Sequence, residues 1–359
     1  MKTKILLGVT ALVLLAGCQK SDVGRAIRFS AVTRSDAGGT KAEYSGVVTT
    51  GKERINWTNG DKIQLRMTNT DETGVSRNYT VTTITPNGAK SSAKLVAEDP
   101  ENQLEWATDG THYFWAAFPS TASFGAGDTR TISGTISGTQ EQTYSTTNSG
   151  VDMFETDQTM YLTAGKISLA AEIGDPISLD FDPAMTTFDF EVGSNTTDDM
   201  MIRGFELTTE LAEGDVADAN LRALSGNFTA TYNASMDRSL TTTAATVSNR
   251  SITVNFDKQP AISQTKKVRF RVMALPQDIQ GLTVIFNTTE TNSAVLGETV
   301  DKQHKLRLKT SGGDWITFDG CGKADITGLL IPGAEWKITF SGPRVQQWTV
   351  YDEVVIGVE

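Results

Sequence analysis

The chain has 359 residues, enough for two domains of about 150 residues each. Its formal net charge is -11, and hydrophobic residues make up 38% of it. An acidic surface of this kind repels nucleic acid and anionic lipid, so we exclude nucleic acid as a partner and expect a solvated particle outside the cell.

The chain opens with a pattern typical of a lipoprotein export signal. Lys2 and Lys4 precede an apolar run, and Leu15-Ala16-Gly17-Cys18 then supplies the small residues and the cysteine at which a bacterial lipoprotein is cut and acylated. The run is too short for a membrane-spanning helix. We therefore predict a signal peptide with its lipobox over residues 1–18, lipidation of Cys18, and delivery to the outer membrane.

Residues 19–34 are predicted to be a removable segment that carries the first strand. Ile27, Phe29 and Ala31 alternate with polar residues until Arg34, and Ser35 then opens a loose stretch with two glycines. This alternation predicts a strand with one apolar face. A cut between Arg34 and Ser35 would release the strand together with the lipid anchor; the competing interpretation is that Arg34 is an ordinary surface arginine.

The remaining chain is predicted to be all-β. Short apolar segments alternate with Gly, Asn, Asp and Thr, and no helical period is sustained, which favours two β-sandwiches in tandem. We place the first domain at residues 35–173 and the second at 174–359. Asn59-Gly60 predicts the tight turn of a hairpin that spans Ile55 to Ile63. The Ser, Thr and Gly rich stretch 120–150 is predicted to be surface loop with at most one weak hairpin.

The strands expected from alternation or from a compact apolar run follow one another along both domains. They are Tyr79 to Ile84, Lys94 to Ala97, His112 to Phe118, Ile177 to Phe181, Phe188 to Val192, Phe228 to Tyr232, Ile252 to Phe256, Val268 to Ala274, Leu282 to Phe286, Leu306 to Leu308, and Trp336 to Phe340.

The segment 345–359 supports two interpretations. Five apolar residues share one parity, interrupted only at Asp352, which predicts an extended strand or a strand with a bulge. It is either the closing strand of the second sandwich or a donor strand that enters a neighbouring molecule, where main-chain pairing gives affinity and alternate side chains set the register. The donor residues would be Trp348, Val350, Val354, Ile356 and Val358.

No catalytic, metal or cofactor motif is present in the sequence, so we predict that the protein is not an enzyme. His112 and His304 are its only histidines, and no Gly-x-Ser-x-Gly elbow accompanies them. Asp215, Asp218 and Asn220 lack the spacing of a calcium loop and are interpreted as solvated loop residues. Once Cys18 is lipidated, Cys321 is a lone thiol, which favours a packed, unreactive residue.

Several segments follow one another in a characteristic order and spacing over nearly the whole chain. They are Leu15 to Cys18, Thr33-Arg34, Trp57 to Ile63, Tyr113 to Pro119, Leu275 to Gln277, and Leu330 to Trp336. In these segments the chain resembles the fimbrillin family of Bacteroidales, the lipoprotein precursors of protease-assembled type V pili.

This resemblance implies two transthyretin-like β-sandwich domains and a structural role as a pilin. An Arg- or Lys-specific extracellular protease would cut at Arg34, and subunits would then polymerise by strand exchange into cell-surface fimbriae for adhesion. Other fimbrial subunits are the implied partners, together with a host glycan or protein ligand. The alternative function is a monomeric outer-surface lipoprotein that binds glycans through exposed aromatic residues such as Trp106 or Trp348.

Overall fold

The computed structural model describes residues 25–33, 57–69, 74–87, 90–106, 110–127, 129–169, 176–209, 222–291, 299–308, 315–318, 320–330, 335–340 and 354–357. These residues form strands and one short 3-10 turn, so the predicted all-β class is confirmed. Within the same ranges, no helix has the length and apolar character that crossing a bilayer requires.

The strands in chain order are β1 (Phe29–Thr33), β2 (Lys62–Asn69), β3 (Val75–Asn87), β4 (Lys90–Ala97), β5 (His112–Phe118), β6 (Ser123–Phe124), β7 (Thr131–Ile136), β8 (Thr139–Asn148), β9 (Val151–Thr156), β10 (Leu162–Ser168), β11 (Ile177–Pro183), β12 (Thr186–Ser194), β13 (Met200–Thr209), β14 (Gly226–Tyr232), β15 (Arg238–Thr242), β16 (Ser251–Phe256), β17 (Ala261–Ile262), β18 (Lys267–Ala274), β19 (Leu282–Thr291), β20 (Thr299–Arg307), β21 (Lys323–Leu330), β22 (Glu335–Phe340) and β23 (Val354–Gly357). The 3-10 turn is Pro100–Asn102, between β4 and β5.

The first sheet closes into a barrel with the strand order β1-β11-β10-β5-β2-β3-β4. Its strand β5 is buried on both faces, which explains the nearly continuous apolar run of this segment. Phe114, Ala116 and Phe118 point into the barrel core. Trp115 and Ala117 pack outward, in a cluster beneath the four-stranded sheet β15-β14-β7-β6.

The second sheet has twelve strands and runs β20-β19-β13-β16-β8-β9-β18-β12-β21-β22-β23, with β17 paired to β13. Alternate residues of β12 face a separate aromatic core, where the ring centroids of Phe190 and Phe205 lie 4.8 Å apart. Among the described strands, β23 pairs with β22 and lies at one end of this order.

The sheets do not divide the strands at residue 174, and the domain bounds 35–173 and 174–359 stay a prediction. Strand β11 belongs to the barrel because it pairs with both β1 and β10, although the prediction assigned it to the second domain. Strands β8 and β9 lie in the twelve-stranded sheet, although they precede the boundary. The sheet that contains β1 is a closed barrel, because β1 pairs with β4 along one edge and with β11 along the other.

The surface loop predicted over most of 120–150 is wrong, whereas the weak hairpin allowed there agrees with the antiparallel pair of β6 and β7. This stretch contains β6, β7 and β8. Its paucity of apolar residues is explained by two buried amides of β8, Gln140 and Gln142, which occupy positions that apolar side chains usually fill. The side-chain nitrogen of Gln140 donates to the carbonyl of Met273, and that of Gln142 donates to the carbonyl of Arg271.

The turn predicted at Asn59-Gly60 is present immediately before β2. Gly60 has a φ of +94°, a conformation that side chains with a Cβ rarely adopt, and its N–H donates to the carbonyl of Val81. The first arm of the predicted hairpin includes residues 55 and 56, which lie outside the described residues.

Candidate assembly site

The strand β1 closes the barrel by pairing on both of its edges. Phe29 lies opposite Leu95 of β4, with the two strands antiparallel, and opposite Ile177 of β11, with the two strands parallel. The same double pairing continues to Thr33 at the end of β1. Removing β1 would therefore leave two strand edges without a partner and open the barrel.

One face of the β1 segment points into the barrel core. Ile27, Phe29, Ala31 and Thr33 are each at most 4% exposed. Phe29 packs edge to face with Phe114 on the opposite wall, at 5.5 Å between ring centroids. The three apolar residues predicted for a displaced strand are thus brought together in one buried row. The sequence analysis did not assign Thr33 to this row, although Thr33 continues the alternation of Ile27, Phe29 and Ala31.

A second segment holds the residues that precede β1. The N–H of Ile27 donates to the carbonyl of Leu104, the N–H of Trp106 donates to the carbonyl of Arg25, and Ala26 forms an isolated bridge with Glu105. We call residues 104–106 the strap. Sequence analysis did not assign it to the site, although Leu104 and Trp106 flank a polar residue in strand-like alternation.

The strap is anchored to the barrel by Tyr79 of β3. The backbone N–H of Leu104 donates a hydrogen bond of 3.1 Å to the hydroxyl oxygen of Tyr79. Burial raises the pKa of Tyr79 to about 12, although this hydrogen bond and Arg77 act in the opposite direction. Tyr79 therefore supports the strap through its hydroxyl and β1 through its ring.

A cleft of about 600 Å³ borders the seam between β1 and β4. Its lining includes residues 27–30 and 92–97, with Tyr79, Gln103 and Pro176 at its margins. Arg28 and Lys94 supply the charge of the described lining, and Val96 is 40% exposed. The cleft therefore runs beside the start of β1.

The residues predicted for processing and lipidation lie outside the described part of the chain. These are Arg34, Ser35 and Cys18. The last described residue before the predicted cut is Thr33. The cleavage site and the lipid anchor therefore stay predictions.

The predicted donor segment is described in part. Val354 and Ile356 lie in β23, where Val354 is opposite Ile338 and Ile356 is opposite Trp336 of β22. Trp348, Val350 and Val358 lie outside the described residues. The described part of the segment is the last strand in the order of the twelve-stranded sheet of its own chain. The donor role remains a prediction.

Trp106 is buried, which removes one of the two aromatic residues suggested for glycan binding. It is 4% exposed and packs edge to face on His112, with the ring centroids 4.9 Å apart. A sugar ring requires an accessible aromatic face to stack on, so the expectation for Trp106 is wrong. The other suggested residue, Trp348, lies outside the described residues.

The two histidines are enclosed by the strands that carry them. His112 is fully buried, and its Nδ1 lies 2.8 Å from the carbonyl oxygen of Gly110. His304 is 6% exposed, and its Nε2 lies 2.5 Å from Oε1 of Glu290. Among the described residues, no three His, Cys, Asp or Glu side chains converge as they would around a metal ion.

The acidic residues considered in the sequence do not form a described site. Asp215, Asp218 and Asn220 lie outside the described residues. Asp199, on a different loop, is exposed and pairs with Lys266 at 2.5 Å. Cys321 is half-buried with a φ of +62°, and burial raises the pKa of its thiol to about 11. A thiol of high pKa is a poor nucleophile at neutral pH, in agreement with the predicted unreactive residue.

A buried ion cluster joins the strands β12, β18 and β21. Asp189 receives a bidentate pair of hydrogen bonds from Arg271, at 2.5 and 2.7 Å, and its Oδ2 lies 3.1 Å from Nζ of Lys323. Burial alone would raise the pKa of Asp189, but these cations outweigh it and hold the pKa well below its usual range. The cluster fastens three strands of the second sheet to one another.

Comparison with known proteins yields similar solved structures. No family model matches the chain, and no curated protein matches it. A "putative cell adhesion protein" from Bacteroides uniformis is 14% identical, with coverage of 91% of this chain and 99% of that chain and a TM-score of 0.47. One of the same description from Bacteroides ovatus has the same identity and coverage, with a TM-score of 0.49.

A fimbrial assembly protein from Parabacteroides distasonis is also similar, at 10% identity and a TM-score of 0.37. The match covers 88% of this chain and 96% of that chain. These neighbours carry names of the kind expected from the fimbrillin resemblance of the sequence. At such identities and TM-scores, the function has to be argued from the residues of this chain.

Proposed function

We propose that this chain is a structural subunit of a cell-surface fimbrium that assembles by strand exchange. It is exported as a lipoprotein, a protease cuts it after Arg34, and the strand β1 is replaced by the segment 345–359 of another subunit. The two transthyretin-like domains implied by the resemblance belong to this proposal. The observation that carries it is the position of β1, which is the closing strand of a barrel and lies directly before the predicted cut.

The row of core positions on β1 suits replacement by the tail. Fully burying an isoleucine or phenylalanine side chain contributes about 1.5–3 kcal/mol, and Ile27 and Phe29 are the two large side chains of the row. Val354, Ile356 and Val358 have the same alternation and comparable size. A strand that supplied them would refill the part of the barrel core that β1 occupies.

The pairing of the two strands favours the same exchange. Among the described strands β23 pairs with β22, whereas the position of β1 offers β4 on one side and β11 on the other. A tail that leaves its own sheet for a neighbour's barrel therefore gains a second edge of main-chain hydrogen bonds. Such pairing is the source of affinity when an extended segment adds to a sheet.

The glycan-binding alternative has less support. It requires exposed aromatic faces, and Trp106 is buried against His112. The other residue suggested for this role, Trp348, lies within the segment that we propose to be the donor strand.

Limited digestion of the precursor with an arginine-specific protease tests the proposal. We expect a new N-terminus at Ser35 by mass spectrometry, followed by a heat-sensitive ladder on unheated gels. The matched variant Arg34→Ala is expected to yield neither product. A wild-type protein that is cut at Ser35 and still remains monomeric at high concentration would refute assembly by strand exchange.

Removing the donor separates cleavage from assembly. A variant that lacks residues 348–359 should be cut at Ser35 as rapidly as the wild type but should form no ladder. If it polymerises like the wild type, the segment 345–359 is not the donor.

A further inference from the structure

The described contacts that hold β1 in the barrel are made by residues 25–33, which precede the predicted cut in the chain. The strand pairs with β4 and β11 from Phe29 to Thr33, and the strap binds the backbone at Arg25 and Ile27. Hydrolysis of the Arg34–Ser35 bond would consume one water and leave a carboxylate on Arg34 and an amino group on Ser35. It would break none of these contacts.

We propose that cleavage does not empty the barrel, and that the fragment ending at Arg34 stays bound as a non-covalent ligand until another strand displaces it. This inference rests on the proposed function, since it assumes the cut after Arg34. It assigns the barrel a second binding state, in which β4, β11 and the strap hold a separate peptide. The cut subunit would then remain attached to the lipid on Cys18 through β1.

The buried face and the two paired edges of β1 support retention of the fragment. Departure of the fragment would expose the ring of Phe29 and the walls that it contacts, Tyr79 and Phe114, to water. Both strand edges would lose their hydrogen-bonding partners in the same step. Transfer of apolar surface into water is unfavourable, and unpaired strand edges add to this cost.

Cleavage removes the covalent link between β1 and the rest of the chain. A strand joined to its barrel by a short linker rebinds at a high effective concentration, whereas a free fragment competes at its bulk concentration. The incoming tail can therefore compete with β1 for the barrel on equal terms only after the cut. The cleft beside residues 27–30 gives that tail access to the seam while the fragment is still bound. Release from the membrane and entry into the fibre would then be one event.

Detergent phase partition of the full lipoprotein tests this inference. The uncut lipoprotein enters the detergent phase through its lipid, and the variant Cys18→Ala should stay in the aqueous phase. After cleavage, at a concentration too low for assembly, we expect the body that begins at Ser35 to follow the lipidated fragment into the detergent phase. Adding a synthetic peptide of residues 348–359 should move the body to the aqueous phase.

Two variants show whether the barrel core holds the fragment. Phe29→Ala should weaken retention by roughly 100-fold or more, because it removes a large buried side chain. Ser30→Ala lies on the opposite, half-buried face and should leave retention unchanged. Equal retention in Phe29→Ala and Ser30→Ala would overturn the proposed mode of binding.

The outcomes separate this inference from the proposed function. If Ser35 does not become a new N-terminus, the proposed processing fails. If Ser35 is the new N-terminus and the wild-type body enters the aqueous phase at once without added peptide, fragment retention is refuted while the proposed processing stands. If the body stays in the detergent phase despite excess peptide, displacement by the tail is refuted.

Discussion

Phe29 of β1 meets Tyr79 of β3 edge to face, with their ring centroids 5.4 Å apart and their planes at 77°. The contact joins the strand that we propose to be removable to a permanent wall of the barrel. Edge-to-face pairs contribute about 0.5–1.5 kcal/mol beyond the burial of their area. The stability of the precursor should therefore depend strongly on Phe29.

Replacing Phe29 by alanine tests this dependence. Phe29→Ala should lower the free energy of unfolding of the precursor by about 3–5 kcal/mol, because it leaves a cavity between Tyr79 and Phe114. Urea unfolding of the uncut chain measures the change. Ser30→Ala serves as the control and should change stability by less than about 0.5 kcal/mol. Similar losses in both variants would show that β1 does not contribute to the core in this way.

Alkaline pH should destabilise the protein through Tyr79. Its pKa is raised to about 12 by burial, from an ordinary value of 10.0, so the unfolded chain loses this proton first as the pH rises. The free energy of unfolding should fall by about 2 kcal/mol between pH 10 and pH 12 from this residue alone. In Tyr79→Phe that part of the decrease should be absent. Urea unfolding at several pH values makes the comparison, and parallel profiles for the two proteins would contradict it.

The ion cluster of the second sheet should be intolerant of losing its anion. Asp189→Asn leaves the buried Lys323 and the partly buried Arg271 without their shared carboxylate and should cost about 3–5 kcal/mol at neutral pH. Asp199→Asn is a matched control, because the pair of Asp199 with Lys266 is exposed and should contribute less than about 1 kcal/mol. Urea midpoints of both variants make the comparison, and equal midpoints would count against the predicted role of Asp189.

Acid should act on Asp189 in the direction given by its lowered pKa. Stability from this residue is fully present above the pKa of an unfolded aspartate, about 3.9, and is lost as the pH falls through the lower folded value. The wild type should therefore lose stability below about pH 4 more steeply than Asp189→Asn. Unfolding midpoints measured from pH 5 downward test the difference, and identical slopes would show that the carboxyl is not held in its charged form.

The parity of the tail can be tested with two single substitutions. In an extended strand Ile356 and Val355 point to opposite faces. Ile356→Asp should abolish the ladder that follows cleavage, because it places a charge in the core row of the acceptor barrel. Val355→Asp should have a much smaller effect. Unheated gels of the cut proteins give the readout, and an identical loss in both variants would argue against a register set by alternation.

Strands with unbroken alternation were predictable from the sequence. In β12, Phe188, Phe190 and Val192 all face one core, and β5 matches its predicted bounds of His112–Phe118. Strand β13 was missed because its pairing with β19 shifts register between Ile202 and Gly204. The buried positions change parity across that bulge, so no single period fits the segment.

The candidate assembly site was predictable only in part, because the sequence does not show which strands pair with each other. Alternation identified Ile27, Phe29 and Ala31 as one face, but it gave no indication that β1 lies between β4 and β11. The partner of a strand depends on contacts between distant parts of the chain, which a local pattern does not contain. The buried amides of Gln140 and Gln142 hid β8 for a related reason, since their partners are the backbone carbonyls of β18.

The mixed pairing of β1 gives a fibre built this way a polarity. A replacement strand reproduces both sets of hydrogen bonds only when it runs parallel to β11 and antiparallel to β4. Every junction would then have the same orientation, and a head-to-tail contact of this type grows into an open filament. The two tips of that filament would differ chemically: one would present a tail that has not entered a neighbour, and the other a barrel that still holds its own β1 fragment.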